Sequence, residues 1–215
     1  MTKDGTGYIV CGKGNDRGEE GGGSSIDGFV LRIDSCDKQS DYGKHYLGVE
    51  LRNEGSDCSK NYKWITRIGT VGQYDFTSWV AESPDGSYII AVGATNILVG
   101  STRYIARTVT KIDSSNGNII WTATLPTTDN LGAYRNSGYE SVVFTSDGGF
   151  IVSGFKSAWD IKSATDGPMF KSAGQIEEAY PMIEKFPSSV ANADEINEND
   201  FVLGKAVFFQ FSVYF

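Results

Sequence analysis

Ser146-Asp147-Gly148-Gly149-Phe150-Ile151-Val152-Ser153-Gly154 is written three times in this chain. An earlier copy reads Pro84-Asp85-Gly86-Ser87-Tyr88-Ile89-Ile90-Ala91-Val92-Gly93, and the first reads Lys3-Asp4-Gly5-Thr6-Gly7-Tyr8-Ile9-Val10-Cys11-Gly12. Each copy sets Asp-Gly before an aromatic residue, a β-branched pair and a small slot that closes on Gly. Asp hydrogen-bonds its own backbone and Gly accepts a positive φ, so the pair makes a turn. The β-branched pair suits a pleated, half-buried surface. The motif is a hairpin turn feeding a strand.

Working outward, Asp27-Gly28-Phe29-Val30-Leu31-Arg32-Ile33-Asp34 reads as the next strand, with counterparts at Val109-Thr110-Lys111-Ile112-Asp113 and Met182-Ile183-Glu184-Lys185-Phe186. Their shared order is apolar, any, basic, apolar, as expected of a strand with one buried face. Asn116-Gly117-Asn118 is a hairpin signal, and Ile119-Ile120-Trp121 follows it. Tyr62-Lys63-Trp64-Ile65 is the matching strand of the first unit. Asp113 precedes Trp121 by 8 positions and Asp34 precedes Trp64 by 30, so the first hairpin tip holds about 22 extra residues, 36–58. Further strands, Phe76–Ser83 and Tyr139–Thr145, lead into the second and third Asp-Gly turns.

Asp85 and Asp147 stand 62 residues apart; Asp4 and Asp85 stand 81 apart, or about 59 without the insertion. Four short antiparallel strands per roughly 60 residues define a propeller blade. The expected fold is therefore all-β, with β-propeller-type four-stranded antiparallel blades. About three are present: 1–72, lacking its first strand; 73–127; and 128–215, degenerate and ending in a divergent tail. Because a ring needs more blades, we expect the chain to be a segment of a longer propeller. Two copies sharing one ring, as a homodimer, and a local cap formed after residue 155 are the competing explanations.

The run Thr145–Gly154 resembles the signature of secreted β-propeller repeat proteins. Lys111-Ile112-Asp113 with Asn116–Trp121 is similar to their strand–turn–Trp element, and to the blades of PQQ-type propellers. The resemblance covers roughly residues 4–154. It implies a fold more than an activity, since propellers serve as scaffolds and as enzymes. A quinoprotein-type oxidoreductase is the enzyme it implies, with the cofactor held between a Trp and a pair of adjacent cysteines. This chain has no adjacent cysteine pair, and Trp64 and Trp121 recur at a structural position.

Composition narrows the partners. A net charge of −8 and the lack of a basic stripe argue against nucleic acid and anionic membrane surfaces. No window approaches the roughly 20 apolar residues of a spanning helix. With 26 Gly and 5 Pro among 215 residues, tight turns between short strands are expected. Three cysteines leave at least one unpaired and the compartment open, while the resemblance implies an extracellular or secreted one. Cys36 and Cys58 flank the insertion and as a disulfide would close its neck; two free thiols on a loop is the competing reading. Cys11 fills the small slot held by Ser153 in the third copy and reads as a buried structural thiol.

Little chemistry stands out. The sole histidine, His45, lies in the insertion, a poor place to hold a nucleophile–base pair. Calcium has two weak candidate sites, Asp113–Asn118 and Asn192–Asp200, each also explained as a turn or acidic loop. No opposed carboxylates of a glycosidase stand out from the turn aspartates. Tyr42, His45, Tyr46, Tyr134 and Trp159 fall in loops, where aromatic rings can stack on a sugar or anchor a protein. The expected function is a non-catalytic scaffold presenting loops to a protein or glycan partner, with no cofactor. The alternative is a fragment of a larger propeller enzyme, oxidoreductase or hydrolase, whose catalytic residues lie elsewhere.

Overall fold

A computed structural model of the chain describes residues 1–16, 25–34, 62–69, 73–128, 134–157 and 179–196. Twelve strands and one short helix occur in that span. β1 (Gly7–Asp16), β2 (Ser25–Asp34) and β3 (Tyr62–Ile68) form a first antiparallel sheet. β4 (Asp75–Glu82), β5 (Tyr88–Val99), β6 (Thr102–Asp113) and β7 (Ile119–Leu125) form a second. β8 (Thr127–Thr128) and β9 (Tyr134–Arg135) pair as a small ribbon. β10 (Ser137–Phe144), β11 (Phe150–Ser157) and β12 (Ala179–Phe186) make the third sheet, and α1 (Ser188–Asn192) follows it. The chain is all-β, built of antiparallel sheets of three and four strands.

The second sheet lies between the other two. Alternate residues of a strand point to opposite faces, so β5 feeds two cores. Ile89 and Ala91 join Val30, Trp64, Ile68 and Ile112 against the first sheet. Ile90 and Val92 join Val109, Tyr139, Phe150, Val152 and Met182 against the third. This explains why the apolar run in β5 is nearly continuous, as strands buried on both faces are.

Each Asp-Gly turn forms as expected, with positive φ at Gly5 (72°), Gly86 (76°) and Gly148 (80°). The Asp carboxylate caps it, accepting from the backbone N–H of Thr6, Ser87 and Gly149 respectively. The third turn is one residue shorter, closing from Thr145 to Gly149 where the second closes from Ser83 to Tyr88. The three aromatics consequently do not share one face. Phe150 takes the place of Ile89 and packs toward the second sheet, while Tyr88 points toward the third and meets Phe144 edge-on at 5.7 Å.

A register shift interrupts the first strand of two sheets, between Thr77 and Trp79 and between Tyr139 and Ser141. Opposite these bulges stand Gly93 and Gly154. A Cβ at either would sit on a carbonyl oxygen of the bulged strand, that of Phe76 or Gly138. The Gly that closes the sequence motif is thus the slot into which the bulge folds.

The helix α1 was not expected from the acidic, Asn-rich sequence around it. It forms where Val190 and Ala191 can be buried against the core between the second and third sheets.

Candidate functional site

The residues repeated from unit to unit hold one sheet to the next. Arg32 of β2 is buried, and its guanidinium donates to the Ser114 carbonyl at 2.9 Å and the Ser114 hydroxyl at 2.7 Å. It also pairs with Asp4 at 2.9 Å and lies 3.8 Å from Glu82. The Trp64 indole N–H of β3 reaches the same Ser114 carbonyl at 3.1 Å. One unit on, Lys111 of β6 and the Trp121 indole of β7 converge on the Ala193 carbonyl at 2.8 and 3.0 Å. A cation and an indole therefore grip one backbone carbonyl of the following unit, twice over. Burial pushes the Lys111 amine below its usual range, against the opposing pull of Asp194 and Asp85.

A second buried cluster lies between the second and third sheets. Tyr139 of β10 is fully buried, and its hydroxyl donates to Glu184 of β12. Arg107 of β6 donates to the same hydroxyl through Nε at 3.0 Å and pairs with Glu184 at 3.2 Å. It also donates to the Thr127 hydroxyl, which in turn donates to Ser137 at 2.8 Å. Burial drives the Tyr139 phenol well above its ordinary pKa; Arg107 pulls it down and Glu184 pushes it further up. A phenol so placed stays protonated at neutral pH and does not serve as a base. The cluster joins four strands, β6, β8, β10 and β12, by charge-assisted hydrogen bonds and works as an interior fastener.

The polar groups of the first calcium candidate, Asp113–Asn118, are engaged within their own turn. Asp113 accepts from the Ser115 backbone at 2.7 Å and from Asn116 at 3.2 Å, while Asn116 caps Asn118 at 2.8 Å. These are the bonds of a hairpin turn. Among the described residues, no three His, Cys, Asp or Glu side chains gather as a metal site. Cys11 is half-buried and unpaired, and burial raises its thiol pKa, which disfavours the reactive thiolate. Among the described residues no helix is long and apolar enough to cross a membrane.

Of the loop residues singled out from the sequence, Cys36, Tyr42, His45, Tyr46, Cys58 and Trp159 lie outside the described residues. Tyr134 falls in β9, its backbone paired with Thr128. The second calcium candidate is described only as far as Ile196. Sequence reasoning missed the Arg107–Tyr139–Glu184 cluster, although a signal existed. Arg107 is in phase with Ile105 and Val109, and Glu184 with Met182 and Phe186, all buried. Charges of opposite sign on the buried phase of two strands call for each other. No protein-family model and no curated protein matches the chain.

Proposed function

We propose that this chain is a β-propeller-type repeat segment that acts as a non-catalytic scaffold and presents its loops, the 36–58 insertion foremost, to a protein or glycan partner. One observation supports this reading best. The charged and aromatic side chains that recur in the repeat, Arg32, Lys111, Trp64 and Trp121, are engaged in holding sheet to sheet. The frame is thus committed to architecture, and variation is left to the connections, where binding residues concentrate on rigid scaffolds. The acidic surface, at a net −8, suits a basic or neutral partner better than a polyanion.

The test is a binding screen of the full chain against an immobilised glycan panel and a set of candidate extracellular proteins. A second variant replaces residues 36–58 by the short turn of the second unit, Ser115-Asn116-Gly117. Saturable binding that this replacement abolishes is the expected result. Binding that survives the replacement removes the insertion from the contact. Turnover of a sugar substrate, or reduction of a dye on addition of a quinone cofactor, would overturn the scaffold reading.

A further inference from the structure

Among the described residues, the two outermost sheet faces are unlike in composition, and each matches one side of an interface that the chain already builds internally. The closing glycines Gly12, Gly93 and Gly154 set the alignment. Four and two residues before them stand Tyr8 and Val10, Ile89 and Ala91, Phe150 and Val152. In β5 and β11 these residues pack back against the preceding sheet and are 0–2% exposed. In β1 the same positions are open: Tyr8 is 46% and Val10 41% exposed.

The opposite face of the third sheet shows the reciprocal pattern. Arg32, Lys111 and Lys185 pair in register with Ile9, Ile90 and Ile151, each three residues before the closing glycine. Arg32 and Lys111 are 5% and 3% exposed because each grips a carbonyl of the next unit. The Lys185 side chain is 47% exposed and bonds only the Asp147 turn of its own unit, among the described residues. Beside it Val143, paired with Ile151, is 56% exposed, whereas Ala81 at the matching place is packed on the core.

We infer that these faces bind each other between two copies of the chain, head to tail: the β1 face of one copy, with Tyr8 and Val10, covers the β10–β12 face of another, with Val143 and Lys185. The occupant is a second copy because the chain itself twice shows that a face of the first kind is complementary to a face of the second. A face–face pairing of unlike patches is heterologous, so it closes into a ring where the rotation allows and otherwise runs on as an open chain. This inference rests on the propeller reading of the repeat but not on the ligand of the loops. A monomeric chain that still captured its partner would sink the interface and leave the scaffold standing.

The experiment is light scattering after size exclusion over a dilution series, on three forms of the full chain. The native chain should show a mass at least double that of one copy, falling toward the single-copy mass on dilution. Two variants each spoil one face: Tyr8→Lys with Val10→Lys, and Val143→Lys. Either alone should remain at single-copy mass, because every contact needs one face of each kind. Mixed in equal amounts, they should regain a doubled mass and nothing larger, because only one intact pair of faces remains. That recovery also shows that both variants are folded, with circular dichroism of the separate samples as the control. The inference is overturned if the native chain stays at single-copy mass throughout. It is equally overturned if one variant alone still doubles, which would mean a like-to-like contact, or if the mixture fails to recover.

Discussion

Tyr139 shows how a single polar atom can matter in the interior of a sheet stack. Its hydroxyl lies between the Arg107 guanidinium and the Glu184 carboxylate. Tyr139→Phe keeps the ring and its edge-on packing on Phe186 but withdraws a buried partner from both ions. The expected loss is about 1–3 kcal/mol in urea unfolding. Glu184→Gln removes the one counter-charge that Arg107 has among the described residues and should cost more, about 3–5 kcal/mol. The exposed pair Lys185–Asp147 is the internal control, because Lys185→Ala should change stability by only about 0–1 kcal/mol. If all three variants unfolded together with the native chain, the cluster would contribute nothing. At this scale the sequence was only half legible. The repeating Trp64 and Trp121 showed themselves by recurring, whereas Arg107, Tyr139 and Glu184 occur once as a set and are brought together by the stacking of sheets far apart in the chain.

At the scale of the element, turn and bulge are the units, and only the turn was written locally. Asp-Gly followed by β-branched residues needs no tertiary context to be read as a turn and strand, and the structure places one at each copy. What local reading lacked was the bulge, since the extra residue on β4 and β10 leaves its trace on the partner strand. Gly93→Ala should therefore be severe: its Cβ would displace the Phe76 carbonyl, at about 3 kcal/mol or the upper end of overpacking. Gly12→Ala meets only the edge of the Phe29 ring, at 3.0 Å, and should be milder in the same thermal unfolding assay. The turns also set the acid response. The Ser83 hydroxyl, then the Ser87 backbone and hydroxyl, lower Asp85 from 3.8 to about 2. Bonds of the same kind lower Asp4 and Asp147 below the usual carboxylate range, led by the Thr2 hydroxyl in one and Lys185 in the other. A carboxyl whose folded pKa is depressed stabilises the fold above its unfolded pKa and loses that contribution as pH falls through the folded value. Stability should thus drop between about pH 4 and about pH 2, and Asp85→Asn should flatten that slope while keeping the turn's oxygen acceptor. An unchanged slope in the variant would remove Asp85 from the account.

Across the whole molecule the three sheets are not equivalent, and the difference follows from which faces are covered. β5 buries Ile89 and Ala91 on one side and Ile90 and Val92 on the other, so opening it exposes two cores. β1 turns Tyr8 and Val10 outward, and β10 turns Val143 outward, so opening either exposes one. In a stack where each unit touches only its neighbours, stability is the sum of unit and interface contributions, and the unit with two interfaces opens last. Sequence periodicity announced the stack but not this gradient, because Tyr8 and Ile89 fill like positions with similarly apolar side chains and only the neighbouring sheet distinguishes them. Hydrogen exchange of the native chain at low concentration should therefore find the β5 and β6 amides slowest and those of β1 and β12 faster, by an amount reflecting the missing interface. Should two copies join face to face, β1 would gain the cover it lacks, and its protection should rise with protein concentration while that of β5 stays level. Equal protection of β1 and β5 in dilute solution would contradict the gradient, and would mean that something other than a second copy already covers Tyr8 and Val10.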